Sequence, residues 1–157
     1  MLILLLSCSK ATFPAEKDGV LQPNFWMHFD NSLGCWPDHL YAWNKEGTVG
    51  IDVFIANAFA RPDDPSSIKI DLSKPGNIVM VETGKQIPDN FCVEQISIIP
   101  VARVYESTSG ILDVSIDHKG NRLGVTLQDV TIKHKETNHV VNIPSVTFPL
   151  QDLYPKR

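Results

Sequence analysis

An all-β fold, an antiparallel sandwich of about eight strands rather than a barrel, is what this sequence predicts. Three observations carry the prediction. Apolar residues recur with a period of two from Thr48 to the C-terminal region, Gly, Pro, Asn and Asp punctuate these runs at short intervals, and no stretch sustains the 3.6-residue period of a long helix. The chain has 157 residues, 43% of them hydrophobic and 20% charged, which is one domain's worth of material and enough to bury a core unaided.

The elements follow in order. Val20 to Gly47 is irregular and aromatic, holding Trp26, Trp36 and Trp43, all three tryptophans of the chain, with Phe25, Phe29 and Tyr41. Phe25, Met27 and Phe29 alternate with Trp26, His28 and Asp30, as in a first strand with apolar residues on both faces. Residues Pro37 to Trp43 fit either one helical turn or a short strand. Ile51, Val53 and Ile55 begin a strand running to about Phe59, and Arg61 to Ser67 is a Pro/Asp/Ser loop. Ile68, Ile70 and Leu72 alternate with Lys69 and Asp71. Lys74-Pro75-Gly76-Asn77 then turns the chain into a short buried run, Ile78 to Val81, and Thr83 to Asn90 is a further loop. Val93 to Tyr105 forms a long strand interrupted by Pro100, which cannot donate to a ladder. Ser107-Thr108-Ser109-Gly110 has the composition of a connection between strands.

The last third is the most regular. Leu112, Val114 and Ile116 face the core, and Asp117 to Asn121 is a hairpin loop with Gly120 available for positive φ. Leu123, Val125 and Leu127 answer on the return strand. Apolar parity then flips to Val130 and Ile132, which places a β-bulge at Gln128-Asp129. A second hairpin through Lys135 to Asn138 leads into Val140 to Leu150, where Pro144 breaks the strand and parity shifts again to Val146, Phe148 and Leu150.

The N-terminus carries a different kind of information. Leu5-Leu6-Ser7-Cys8 closes an apolar run and is followed by Ser9 to Gly19, a polar stretch with Pro and Gly and no periodicity. This start resembles the end of a bacterial lipoprotein signal peptide, whose lipobox is an aliphatic residue, a tolerant position, a small residue and cysteine. The resemblance implies a signal peptide at residues 1–7, lipidation of Cys8 after cleavage, a tether at 8–19 and a single β-domain at 20–157. It also implies a cell-envelope protein held in a membrane through its lipid, with Ser9 after the cysteine pointing to the outer rather than the inner membrane. The apolar run is shorter than the usual 7 to 15 residues and no basic residue precedes it, so either the true start lies upstream of Met1 or this is a chance apolar terminus.

With Cys8 committed to lipid, Cys35 and Cys92 remain in a chain exported to an oxidising compartment, and a disulfide between them is expected. The competing expectation is two buried free thiols. A net charge of −4 with scattered basic residues argues against a nucleic-acid partner.

No motif assigns an activity or a cofactor. Gly-x-Ser-x-Gly, His-Glu-x-x-His, a phosphate loop and Gly-x-Gly-x-x-Gly do not occur. His134 and His139 face each other across the second hairpin. They are the candidate metal ligands, although a stable site needs three or four, and the simpler expectation is two solvated hairpin-end histidines. Asp63-Asp64, Asp113 and Asp117 read as solvated acids.

Trp26, Trp36, Tyr41 and Trp43 form the candidate binding surface, since exposed aromatic rings flanked by Asp, Asn and His can stack on a ligand while polar groups orient it. Two functions follow. One is a non-catalytic module binding a protein, peptide or glycan; the other is a small hydrolase or metal-dependent enzyme with a non-standard site.

Overall fold

Two long antiparallel strands organise the protein: β8 (Val101–Asp117) and β9 (Arg122–His134), joined by the hairpin loop at 118–121. The computed structural model describes residues 16–17, 20–35, 38–56, 67–87 and 101–152. These contain eleven strands, more than the eight expected, of which nine share one antiparallel ladder system and two form a small ribbon, β1 (Glu16–Lys17) with β2 (Val20–Leu21).

The first halves of the chain and of β8 build one layer. Here β3 (Phe29–Cys35), β4 (His39–Asn44), β5 (Val49–Ile55) and β7 (Asn77–Gly84) run in the order β3-β4-β5-β7-β8, and the order continues through β9 to β10 (Val140–Ile143). The second half of β8 pairs instead with β6 (Ser67–Asp71), and the first half of β9 pairs with β11 (Val146–Asp152). The hairpin therefore leaves one sheet and enters another. The result is an all-β, antiparallel sandwich that is not closed into a barrel. Strands that switch sheets at bends are a known way to make the corner of such a fold.

The switch happens along a single crease that crosses neighbouring strands. In β8 it falls at Gly110, in the left-handed half of backbone space with φ of 118°. In β9 it falls at Asp129, with φ of 50°, opposite a register shift between Ser109 and Ile111. In the next strand it falls at Pro144, between Ile143, paired with Val130, and Val146, paired with Leu127.

Side-chain parity flips at each point. Tyr105 is buried before the crease and Leu112, Val114 and Ile116 after it; Leu123, Val125 and Leu127 before Asp129, and Val130 and Ile132 after it; Val141 and Ile143 before Pro144, and Phe148 after it. The inward residues of both layers form one core with Leu40, Ile51, Val53, Val79 and Val81.

The bulge at Gln128-Asp129 and the break at Pro144 lie where the alternation placed them, as do both hairpins. Other elements differ. Phe25–His28 is a 3-10 turn, not strand. Pro23-Asn24 turns the chain, the Phe25 N–H bonds the Gln22 carbonyl at 3.1 Å, and the Phe25 ring drops fully into the core. A spacing of two between Phe25, Met27 and Phe29 imitated a strand where the turn chemistry decided.

Residues Pro37 to Trp43, left between turn and strand, contribute β4 from His39 onward. The buried run at Ile78 extends to Gly84. Ser107-Thr108-Ser109-Gly110 is no connection but part of β8. In the first hairpin the positive φ belongs to Asn121. At Gly120 a β-carbon would meet the ends of the Asp117 and Arg122 side chains, which are paired with each other and would have to shift. The sequence expectations for residues 57–66, with their Asp63-Asp64 pair, and for 88–100, with Pro100, lie outside the described residues.

Candidate functional site

A cleft of about 310 Å³ opens where two sheet edges meet without pairing. β3 is the last strand of its layer and β11 the last of the other. Aromatic residues pack beneath the opening. Phe29 sits edge-on to both Phe25 and Phe148, with ring centroids 5.9 Å apart in each case. Trp26, delivered by the 3-10 turn, forms a wall and is half-buried against the core. Asn31 and Ser32 of β3 face Val146 to Pro149 of β11 across the opening. Ser32 pairs with Ala42, a core residue, so its side chain shares the inward face.

The polar character of this cleft is neutral. No Lys, Arg or His lines it, and its one carboxylate, Asp30, accepts the Lys45 N–H at 2.8 Å. The side chains of Trp26 and Ser32 make no hydrogen bond among the described residues, leaving an indole donor and a hydroxyl unengaged at an aromatic opening, whereas Asn31 pairs with Trp43 and turns its amide to the outer face.

A second cluster lies on the outer face of β4, β5 and β7. His39, Tyr41 and Trp43 alternate with buried Leu40, Ala42 and Asn44 along β4. The His39 Nδ1 is 2.9 Å from the Asp52 carboxylate, and its Nε2 is 3.8 Å from that of Asp38. The imidazole stacks on Tyr41 at 5.6 Å and tilts against Phe54 at 4.9 Å. Burial by itself lowers the His39 pKa, but the hydrogen bond it donates to Asp52 and the charges of Asp52 and Asp38 together raise it above its ordinary value of 6.5. Burial, then Asp52, Asp38 and Glu82, push the Tyr41 hydroxyl upward, and burial followed by Asp52 pushes Glu82 up.

A raised pKa in the folded state means that protonated His39 stabilises the fold. That contribution is complete below the unfolded-state value near 6.5 and fades as pH rises through the folded-state value. Asp52→Asn is expected to lower the His39 pKa and to weaken the pH dependence of stability on the alkaline side of pH 6.5. Imidazole NMR titration of both proteins checks this. An unchanged or raised His39 pKa in the variant contradicts the pairing.

The four sequence candidates for a binding surface therefore separate. Trp26 walls the cleft, Tyr41 and Trp43 belong to the outer face and do not border it, and Trp36 lies outside the described residues. Sequence reasoning missed the His39–Asp52 pair, because thirteen residues separate the partners and only the β4–β5 register, which sets Tyr41 against Asp52 and His39 against Phe54, brings them together. It also missed the part of β11 that completes the cleft.

The histidine hairpin corrects a further expectation. His134 is not solvated but 4% exposed. Its Nδ1 accepts from the backbone N–H groups of Glu136 and Thr137 at 3.2 and 2.9 Å and lies 3.0 Å from the Thr137 hydroxyl. His139 Nδ1 lies 3.1 Å from the hydroxyl of Tyr105, whose ring is fully buried and edge-on to both imidazoles. Both Nδ1 atoms are engaged in closing the hairpin onto Tyr105. Among the described residues no three His, Cys, Asp or Glu side chains are grouped to hold a metal ion.

Cys35 ends β3, is 1% exposed and is disulfide-bonded. Cys8 and Cys92 lie outside the described residues. No helix among the described residues is long and apolar enough to cross a membrane. No protein-family model, curated protein or solved structure matches this chain.

Proposed function

We propose that this chain is an exported envelope lipoprotein, anchored in the outer membrane through acylated Cys8, whose β-domain is a non-catalytic binding module. The observation that carries the binding reading is the cleft between β3 and β11, where Trp26 and the unengaged Ser32 hydroxyl meet at an aromatic opening. Small-ligand sites combine aromatic surface with a few placed polar groups. Leu5-Leu6-Ser7-Cys8 and the polar tether after it support the anchor. The disulfide-bonded state of Cys35 supports export and, with Cys8 lipidated, a Cys35–Cys92 bridge.

Two experiments test the two halves. Native protein is expected to fractionate with membranes, whereas Cys8→Ser is released or retained as precursor; equal solubility of both forms removes the anchor. A photo-crosslinking residue at position 32 is expected to capture a discrete protein or glycan adduct in intact envelopes. The same residue at position 137, in the remote hairpin, is expected to capture none. Adducts that do not differ between the positions remove the cleft as the binding site.

A second reading rests on His39 and Asp52. A carboxylate that fixes an imidazole through Nδ1 and leaves Nε2 outward is the arrangement a general base uses. A hydrolase built on it loses turnover in His39→Ala while keeping its fold, and a panel of ester, peptide and glycoside substrates is the corresponding screen.

A further inference from the structure

We infer that the ligand taken in the β3–β11 cleft is a neutral saccharide unit, recognised by side chains rather than by strand pairing; this rests on the binding-module reading. Two unpaired edges facing one another suggest at first an extended peptide added as a missing strand. The backbone argues otherwise at the cleft itself. Pro149 has no N–H to offer a ladder. The β3 register slips between Phe29 and Asn31, and the β11 register between Phe148 and Gln151. Prolines and bulges of this kind blunt an edge against strand addition. Recognition therefore falls to the side chains.

Those side chains define the ligand's chemistry. With no cationic residue in the lining, an anionic group gains no partner there. The one acidic group, Asp30, is exposed and already accepts a backbone N–H, and an exposed carboxylate holds a cation only weakly. What the cleft does offer is aromatic surface at Trp26 together with the indole N–H and the Ser32 hydroxyl. A pyranose ring presents the matching pattern, with an apolar C–H face to lie on a ring and hydroxyls around its edge to give and accept neutral hydrogen bonds. The volume of about 310 Å³ stands at the lower end of the roughly 300–1,000 Å³ typical of ligand pockets, which suits a small unit of a glycan chain and not a broad macromolecular face.

The full chain, purified in detergent, is applied to an array of neutral and acidic glycans. Neutral tri- to hexasaccharides that score are titrated by tryptophan fluorescence and calorimetry. At least one neutral saccharide is expected to bind, with Trp26→Ala weakening it tenfold or more and Ser32→Ala about threefold to tenfold. Lys119→Ala, in the hairpin loop, leaves it unchanged. Ser32→Ala keeps the test valid if Trp26→Ala is unstable, since it only trims one hydroxyl. Binding confined to acidic glycans overturns the inference. So does binding of a neutral extended peptide that Ser32→Ala weakens while no neutral glycan binds, and in that case the cleft remains a binding site. Neutral-glycan binding that neither variant alters moves the site elsewhere and overturns both readings of the cleft.

Discussion

Gly110→Ala is expected to remove about 3–5 kcal/mol of stability, a large share of the roughly 5–15 kcal/mol that holds a typical domain together. Two effects combine. The φ of 118° at Gly110 is one that residues with a β-carbon rarely adopt, a penalty of about 1–3 kcal/mol. A β-carbon there would also stand 2.6 Å from the Val130 α-carbon and 3.0 Å from the Asp129 carbonyl oxygen, backbone atoms that cannot rotate aside, and overpacking of this kind adds about 1–3 kcal/mol. The Gly110 carbonyl additionally accepts the Leu72 N–H at 2.9 Å, so any shift that relieves the clash disturbs the end of β6. Urea denaturation measures the loss. A change under 1 kcal/mol shows that the crease tolerates a side chain and that its geometry is not fixed by this glycine.

The second large effect concerns the proposed Cys35–Cys92 bridge. Closing a loop of about 60 residues restricts the unfolded chain by about 4 kcal/mol on the loop-entropy model. Cys35→Ala or Cys92→Ala is expected to lower stability by about 2–4 kcal/mol, with the double variant no worse than the worse single one. Urea melts of the four proteins check this. Thiol labelling of denatured, unreduced native protein is expected to find neither Cys35 nor Cys92. Two labelled cysteines there refute the bridge and weaken the export argument with it. Labelled Cys92 with unreactive Cys35 transfers the bond to Cys8, which removes the lipid anchor at the same time.

How far the sequence revealed this structure depends on which force set each element. Period-two patterning over Leu112 to Leu150 exposed two of the three parity flips, at Asp129 and Pro144, because inward residues stood close on both sides of each. The third, in β8, was hidden. Tyr105 and Leu112 are seven residues apart, and the intervening Ser107-Thr108-Ser109-Gly110 carries loop composition, although tertiary pairing with β9 holds it in strand. Trp26 was legible as a partly exposed aromatic because polar and turn residues surround it. Its partners in β11 were not, since no local pattern reports which distant edge lies opposite. His134 was misjudged for a related reason: hairpin-end histidines are usually wet, and only the position of Tyr105, nearly thirty residues earlier, shows that this one is covered.

The crease has a consequence for the cleft that neither feature shows alone. β3 belongs to the layer on one side of the fold line and β11 to the layer on the other, so the angle of the bend sets the aperture between them. The β11 residues that line the cleft pair with Val125 to Leu127 of β9, no more than about 13 Å from Asp129 at roughly 3.3 Å per residue, and a change of about 5° at Asp129 moves them by about 1 Å. Volume added or removed at the fold line would thus be transmitted as a gain or loss of width at a mouth it never touches. Substitutions at Val130 or Ser109 are in this sense adjustments of a lever, and they change the width of the cleft while every residue that lines it stays the same.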